Sequence, residues 1–490
     1  MILTEDPGST TNPTTTSTTT STTTSTTDTT INEKKHLIND YVRTHYLVPN
    51  TKLIFDIHDG HSIVSAEYRI VLNVENKNKS DNDDIVVEQE PDSDSIDTDT
   101  NTEDDENVVD LVLNGDASVE ILDVSSNGNP VQYTLTDEGT GTEKILIIDS
   151  VVVRELIKRS ANSTDRSFTL CVRCKIQPEL NTELLGLYLS NGTYSTQCEP
   201  HGFRRIVYGL DRPDVLSKYR VEIVADKTKY PVILSNGNCV SETDDIDNRK
   251  RVVWEDPHPK PSYLFALVAG DLSYIESFFY IKNDHRRPVK IRIYSSHEKV
   301  NQLDHAMYSI RLAMEWDECR YGLYYDLNIF NIVCLDDFNF GAMENKSLNI
   351  FNSKCVLATP HTATDAEYSR ITGIIGHEYF HNWTGNRVTL ENWFNLTLKE
   401  GLTVFRDQNF SMDIEPSKDV LIINRAKNLR NNQFQEDAGS NAHSIRPQSY
   451  KVMDNFYTST VYDKGAEIIR IYETLLGVKG FRRGMDLYFK

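Results

Sequence analysis

The apolar residues of this chain change their spacing once, near residue 300, and that change limits the possible folds more than any other feature. Before it, residues 53–57, 63–71, 221–223 and 289–293 alternate apolar with polar, the period of a strand that buries one face. Asp59-Gly60, between the first two runs, readily takes the positive φ angles of a tight turn and predicts a β-hairpin. A second turn is expected at Ser235-Asn236-Gly237-Asn238. After the change, residues 305–316 and 365–383 recur at helical spacing, and so does the stretch from Gly465 onward. The chain is therefore expected to be α+β, a β-domain followed by a helix-rich one, with the boundary near residues 271–276.

The length of 490 residues fits roughly two to four domains. The formal charge of −22 is unevenly spread, because residues 81–110 hold fourteen Asp or Glu and no Lys or Arg. Like charges at that density repel and cannot pack, so an acidic, disordered insert is expected at 78–110, inside the β-domain. The remainder is only mildly acidic and offers no sequence-wide basic footprint for nucleic acid. Residues 1–35 form a Thr/Ser-rich tail with a four-residue Thr-Thr-Thr-Ser repeat, too polar to bury a core. It lacks the basic start and apolar stretch of a secretory signal. Triplets such as Asn382-Trp383-Thr384 are accordingly read as chance matches to a glycosylation site. No apolar run approaches the ~18 residues of a membrane span. Seven cysteines, an odd number without the dense spacing of a disulfide scaffold, fit a reducing compartment, here read as the cytoplasm. Cys171-Val172-Arg173-Cys174 has no partner pair and lies in a strand-like run, where residues three apart face opposite sides, so both are read as ordinary thiols.

Chemistry concentrates on one helix. Thr364-Asp365-Ala366-Glu367 is a capping box, Ile371, Ile374 and Ile375 supply an apolar stripe, and Gly385-Asn386 can close the end. On it stand His377-Glu378-Tyr379-Phe380-His381. Residues four apart are turned by only about 40°, so both imidazoles project from one face and can chelate a divalent metal. Glu378 lies about 100° round from His377, off the ligand direction but within reach of a metal-bound water. A catalytic zinc keeps three protein ligands and one open position. Glu400 is the candidate third, although Thr397-Leu398-Lys399-Glu400 also reads as a capping box in which Glu400 merely starts a helix. With 13 His in 490 residues, a chance His-Glu-x-x-His is expected on the order of 0.03 times, and with the later acid roughly 0.002 times. Coincidence is a poor explanation.

Together with Gly341-Ala342-Met343-Glu344-Asn345 upstream, these residues resemble the aminopeptidase N family of gluzincin metallopeptidases. The longer wording, His377 through Thr389 and Leu398 through Gln408, is similar to the bacterial-type branch. The likeness runs from about Leu53 to the end, is interrupted by the acidic insert and is weakest before Leu184. It implies an antiparallel β-sandwich or saddle domain over 36–273, followed by a thermolysin-like α/β catalytic domain over 274–490. It implies one zinc ion per chain on His377, His381 and Glu400, with Glu378 as the base. It further implies that Glu344 fixes the free α-amino group of a peptide while Gly341, Ala342, Met343 and Asn345 line the substrate as an edge strand. Glu199 would be the second carboxylate for that group, with Gln197 beside it, and Tyr462 would steady the tetrahedral intermediate. Physical logic agrees on the anchors: charge-assisted hydrogen bonds to a terminal ammonium, about 1.5 to 3 kcal/mol each, are unavailable to an internal peptide.

The function expected from this resemblance is zinc-dependent release of single amino acids from peptides with a free N-terminus, basic and small neutral residues such as Ala being the family preference. Phe340 and Gly373 stand where the branch commonly has Met and Arg, which leaves the preferred first and second residues open. The rivals are a zinc endopeptidase and a catalytically inactive peptide-binding fragment. The second has weight because residues 483–490 read as a helix with apolar residues still arriving and no stop signal, as in a catalytic domain truncated at its C-terminus. Oligomeric state is not encoded in any of these features.

Overall fold

A computed structural model describes residues 35–73, 108–137, 142–160, 165–284 and 287–490. The tail expected at 1–35 and the insert expected at 78–110 lie outside the described residues except for their last positions. One correction falls there. Val108 is buried, and Asp110 accepts a hydrogen bond from the backbone N of Ser150, so the ordered chain resumes before the expected end of the insert.

Three of the four alternating segments, 53–57, 63–71 and 221–223, lie in a largely antiparallel eight-stranded sheet, whereas 289–293 belongs to the later five-stranded sheet. The order of the eight-stranded sheet is Asn238–Asp244, Arg249–Lys260, Ser217–Asp226, Tyr46–His58, His61–Leu72, Ser167–Ile176, Glu120–Ser126 and Asn129–Pro130. The pairing of Ser217–Asp226 with Tyr46–His58 is parallel, and the other pairings of this sheet are antiparallel, in keeping with the expected antiparallel domain. Asp59-Gly60 makes the two-residue hairpin turn, with His58 opposite His61 and Gly60 at φ +80°. Leu53, Phe55 and Ile57 are buried from one strand, Val64, Ala66 and Tyr68 from the next, as period-two spacing requires. Cys171 and Cys174 stand on opposite faces of the Ser167–Ile176 strand as free thiols.

A second, four-stranded sheet runs Gly186–Ser190, Thr193–Gln197, Leu267–Gly270, Val232–Ser235. Thr193–Gln197 is buried along its whole length, and the chain leaves it directly at Cys198-Glu199. Leu111–Asp116, Glu143–Ile148 and Thr134–Asp137 form a third sheet, followed by helix α1, Ser150–Arg159.

From Ser273 the architecture changes. A mixed five-stranded sheet runs Ser273–Tyr280, Pro288–Ser295, Ile329–Leu335, Leu348–Asn352, Ala342–Met343, with the two-residue strand at its edge. Helices α2 (Asp304–Tyr321), α3 (Asp365–Phe380) and α4 (Glu400–Ile414) pack beside it, followed by α5 (Lys418–Asn428), the single turn α6 (Phe434–Asp437) and α7 (Gly465–Tyr488). The capping box at Thr364 is formed, both hydrogen bonds included. Helix α3 ends at Phe380 rather than near Trp383, because Gly385, at φ +136°, turns the chain so that Asn386 N bonds back to His381 O at 3.0 Å. α5 carries no buried residue, which explains why apolar periodicity did not announce it.

The β-sheets and the helical part meet along the loop after Ala342–Met343. Asn236 donates to Lys346 O at 2.8 Å, and Gly237 N donates to Ser347 Oγ at 2.7 Å. Gly237 is required there: its φ is +88°, and a Cβ would stand 2.0 Å from Glu255 O.

Candidate metal centre and active site

His377 lies in the last turn of α3 and His381 at its C-cap. The two Nε2 atoms face each other at 3.0 Å, and Glu400 Oε2, from the first residue of α4, lies 3.4 Å from one and 3.3 Å from the other. The three donor atoms thus converge on one point, as a bound ion requires. The far side of each ring is occupied: His377 Nδ1 meets Asp407 Oδ2 at 2.6 Å, and His381 Nδ1 meets Thr384 O at 2.8 Å. Such partners fix the tautomer that presents Nε2 inward. Two imidazoles and one carboxylate make the donor set of a zinc site that keeps an open position, so the residues present fit that metal.

The rival role of Glu400 is not realised. The segment Trp393–Leu398 is a 3-10 helix, Thr397 Oγ1 donates instead to Ile445 O at 2.6 Å, and no side-chain cap precedes α4. Burial opposes ionisation of Glu400, but Lys399 and His381 hold its carboxyl well below the usual carboxylate range. Glu378 is buried, its Oε2 has no partner among the described residues, and burial pushes its carboxyl well above the ordinary value. Tyr462 lies in the turn of π-helix before α7, its ring stacked 6.3 Å from that of His377, packed against both hydrophobic cores.

The five-residue run from Gly341 places Ala342 and Met343 in the edge strand, paired with Phe351 and Ile350. Gly341 O accepts from Asn352 N at 2.9 Å, and Glu344 O accepts from Asn386 Nδ2 at 2.9 Å. Asn345 is fully buried and receives Leu348 N at 3.0 Å on its carbonyl. Gln197 is buried and donates to Glu199 O at 3.0 Å. The fold brings Glu199, Glu344 and Glu400 together, although they come from three different elements.

What joins them is a residue that sequence reasoning passed over. The buried Lys399 ammonium donates to Glu199 Oε2 at 3.0 Å, bonds Glu344 Oε1, and lies 2.7 Å from Glu400 Oε1. Glu199 Oε1 also accepts from the Tyr457 hydroxyl at 2.8 Å. Burial pushes Glu199 up to about 8, whereas at Glu344 His381 and Lys399 outweigh burial and lower the carboxyl. Asp407 was likewise missed, although it lies seven positions after Glu400 in one helix, two turns along the same face. That spacing was the available signal. No comparable signal marks Lys399, because Glu199 and Glu344 lie 200 and 55 positions away in sequence.

Two family models match the chain, the Peptidase M1 N-terminal domain over residues 149–264 and the Peptidase family M1 domain over residues 305–490. Aminopeptidase N of Haemophilus influenzae is 57% identical over 311 residues, covering 64% of this chain and 35% of that protein. Aminopeptidase N of Escherichia coli is 49% identical over 380 residues, 78% of this chain and 41% of that protein. Aminopeptidase N of Caulobacter vibrioides is 44% identical over 451 residues, 92% of this chain and 46% of that protein. The chain thus spans less than half the length of these relatives. A crystal structure of Legionella pneumophila aminopeptidase A in complex with aspartic acid superposes with a TM-score of 0.76 at 29% identity, covering 93% of this chain and 47% of that one.

Proposed function

This chain belongs to the bacterial-type aminopeptidase N family of M1 peptidases, and from that membership we propose that it hydrolyses the N-terminal bond of peptides, releasing one amino acid at a time. The observation that carries the reading is the convergence of His377, His381 and Glu400 beside two buried carboxylates, Glu199 and Glu344, that can receive a terminal ammonium. Residues 36–273 are read as the β-domain that delivers Glu199, and 274–490 as the catalytic domain.

His377, His381 and Glu400 would hold zinc, which supplies a Lewis acid for the scissile carbonyl and a water with its pKa brought toward ~7. The unpartnered oxygen of Glu378 takes the proton from the attacking water and passes it to the leaving amine. Tyr462 would offer its phenol to the oxygen where negative charge develops. Glu344 and Glu199 accept from the α-ammonium of the substrate. The outer edge of Ala342–Met343 carries backbone donors and acceptors that an extended peptide pairs with. Phe340, which packs on Tyr457 at 6.3 Å between centroids beside Glu199, borders the first side chain of the substrate.

Among the described residues no helix is long and apolar enough to cross a membrane. All seven cysteines are free thiols, which supports a reducing compartment, the cytoplasm, and peptides rather than nucleic acids are the partners this site accepts.

The test compares an alanyl reporter with its N-acetylated twin, each with and without a chelator. Cleavage of the free-amine reporter alone, abolished by the chelator and restored by zinc, is expected. Equal cleavage of the acetylated twin would make the chain an endopeptidase, and no cleavage of either a binding module.

A further inference from the structure

Glu400 uses its two oxygens differently. Oε2 lies against the imidazoles of His377 and His381, at 3.4 and 3.3 Å, while Oε1 lies 2.7 Å from the ammonium of Lys399. It therefore belongs to two clusters at once, His377, His381 and Glu400 on one side and Glu199, Glu344 and Glu400 on the other. In each, the ligand atoms lie within 4.8 Å of one another, close to the spread of donors around one ion at about 2.0 to 2.2 Å per bond. A carboxylate shared in this way is the layout of a two-metal site. In this chain the second position is filled by Lys399, whose Nζ lies 2.8 Å from Glu199 Oε1, bonds Glu344 and is almost fully enclosed.

Charge explains why a lysine there differs from an ion. A single ammonium does not neutralise the carboxyl groups of Glu199, Glu344 and Glu400 that face it, so a second monocation, the α-ammonium of a peptide, is still attracted. A divalent ion in the same place would neutralise more of that charge and would take as ligands the oxygens that the substrate needs. Three buried carboxylates with no cation would repel one another and turn away.

Resting on the reading of this chain as an aminopeptidase, we propose that Lys399 is a positioning residue of the N-terminus anchor. Its tethered ammonium occupies a second cation position, holds Glu199 and Glu344 in place for the substrate, and keeps a second metal ion out.

The full chain carries the test, with zinc content as the first readout because it requires no substrate. K399A, checked for folding by circular dichroism and thermal melting, is expected to take up a second equivalent of zinc in calorimetric titration of the metal-free protein. The double variant E199Q/K399A is expected to return to the parent stoichiometry. A folded K399A that binds no more zinc than the parent at saturation overturns the proposal. K399M, which fills the space without the charge, gives a second readout should K399A not fold. Its KM for an alanyl reporter should rise about 10- to 100-fold, the equivalent of one charge-assisted hydrogen bond, with a smaller change in kcat. An unchanged KM, or a loss confined to kcat, overturns it as well. Failure of the aminopeptidase reading itself would show separately, as equal cleavage of free and acetylated reporters by the parent chain.

Discussion

Glu378 and Asp326 show two opposite uses of a buried carboxylate. Glu378 is 7% exposed, one of its oxygens has no partner among the described residues, and burial raises its proton affinity, as the role of base proposed for it requires. Replacing Glu378 by Gln should leave zinc content unchanged while abolishing turnover. Metal analysis beside an activity assay checks this, and retained aminopeptidase activity would refute the role. Asp326 is instead a structural anion. It accepts from Lys346 Nζ at 2.9 Å and bonds Arg387, and against the effect of burial these cations hold its carboxyl at about 2, from an ordinary 3.8. A carboxyl lowered in the folded state stabilises fully above its unfolded value and loses that contribution as pH falls through its folded one. Asp326→Asn should therefore be about 2 kcal/mol less stable than the parent at pH 7, the gap closing between about pH 4 and pH 2 in denaturant titrations.

At the scale of elements, the orientation of α3 decides whether its two histidines converge with Glu400. Arg406 of α4 is wholly buried: it bonds Asp317 of α2 and donates to Phe380 O at 2.8 Å and Thr384 Oγ1 at 3.0 Å, at the end of α3. One guanidinium thus ties three helices behind the convergence of His377, His381 and Glu400. Removing one partner of such a pair leaves an uncompensated buried charge, so Arg406→Met should cost about 3 to 5 kcal/mol, read as a lowered denaturation midpoint. The sequence showed α3 and its cap because capping boxes and apolar stripes are local patterns. It did not show this tie, since Asp317 and Arg406 each read there as an ordinary charged residue of a helix.

For the whole molecule, the site is the junction of the architecture. Glu199 arrives from the four-stranded β-sheet, Glu344 from the edge of the mixed sheet, and the candidate metal ligands His377, His381 and Glu400 from α3 and α4. An ion that binds only this assembled arrangement stabilises it by mass action, about 4 kcal/mol at a thousandfold excess over its dissociation constant. A chelator should therefore lower the thermal midpoint, and zinc should restore it; a midpoint indifferent to both would mean that these ligands hold no metal. The sequence by itself determined the strands of residues 53–57, 63–71, 221–223 and 289–293, the hairpin turn, the cap of α3 and the pair His377 and His381, because each depends on dihedral preferences and periodicity within a few residues. Only the tertiary structure decided that Glu400 turns toward those rings rather than capping its own helix. It alone brought Lys399 to Glu199, two hundred positions away. Such meetings are set by how sheets and helices pack, and burial among three carboxylates gives a lysine its meaning, which its place in the chain does not reveal.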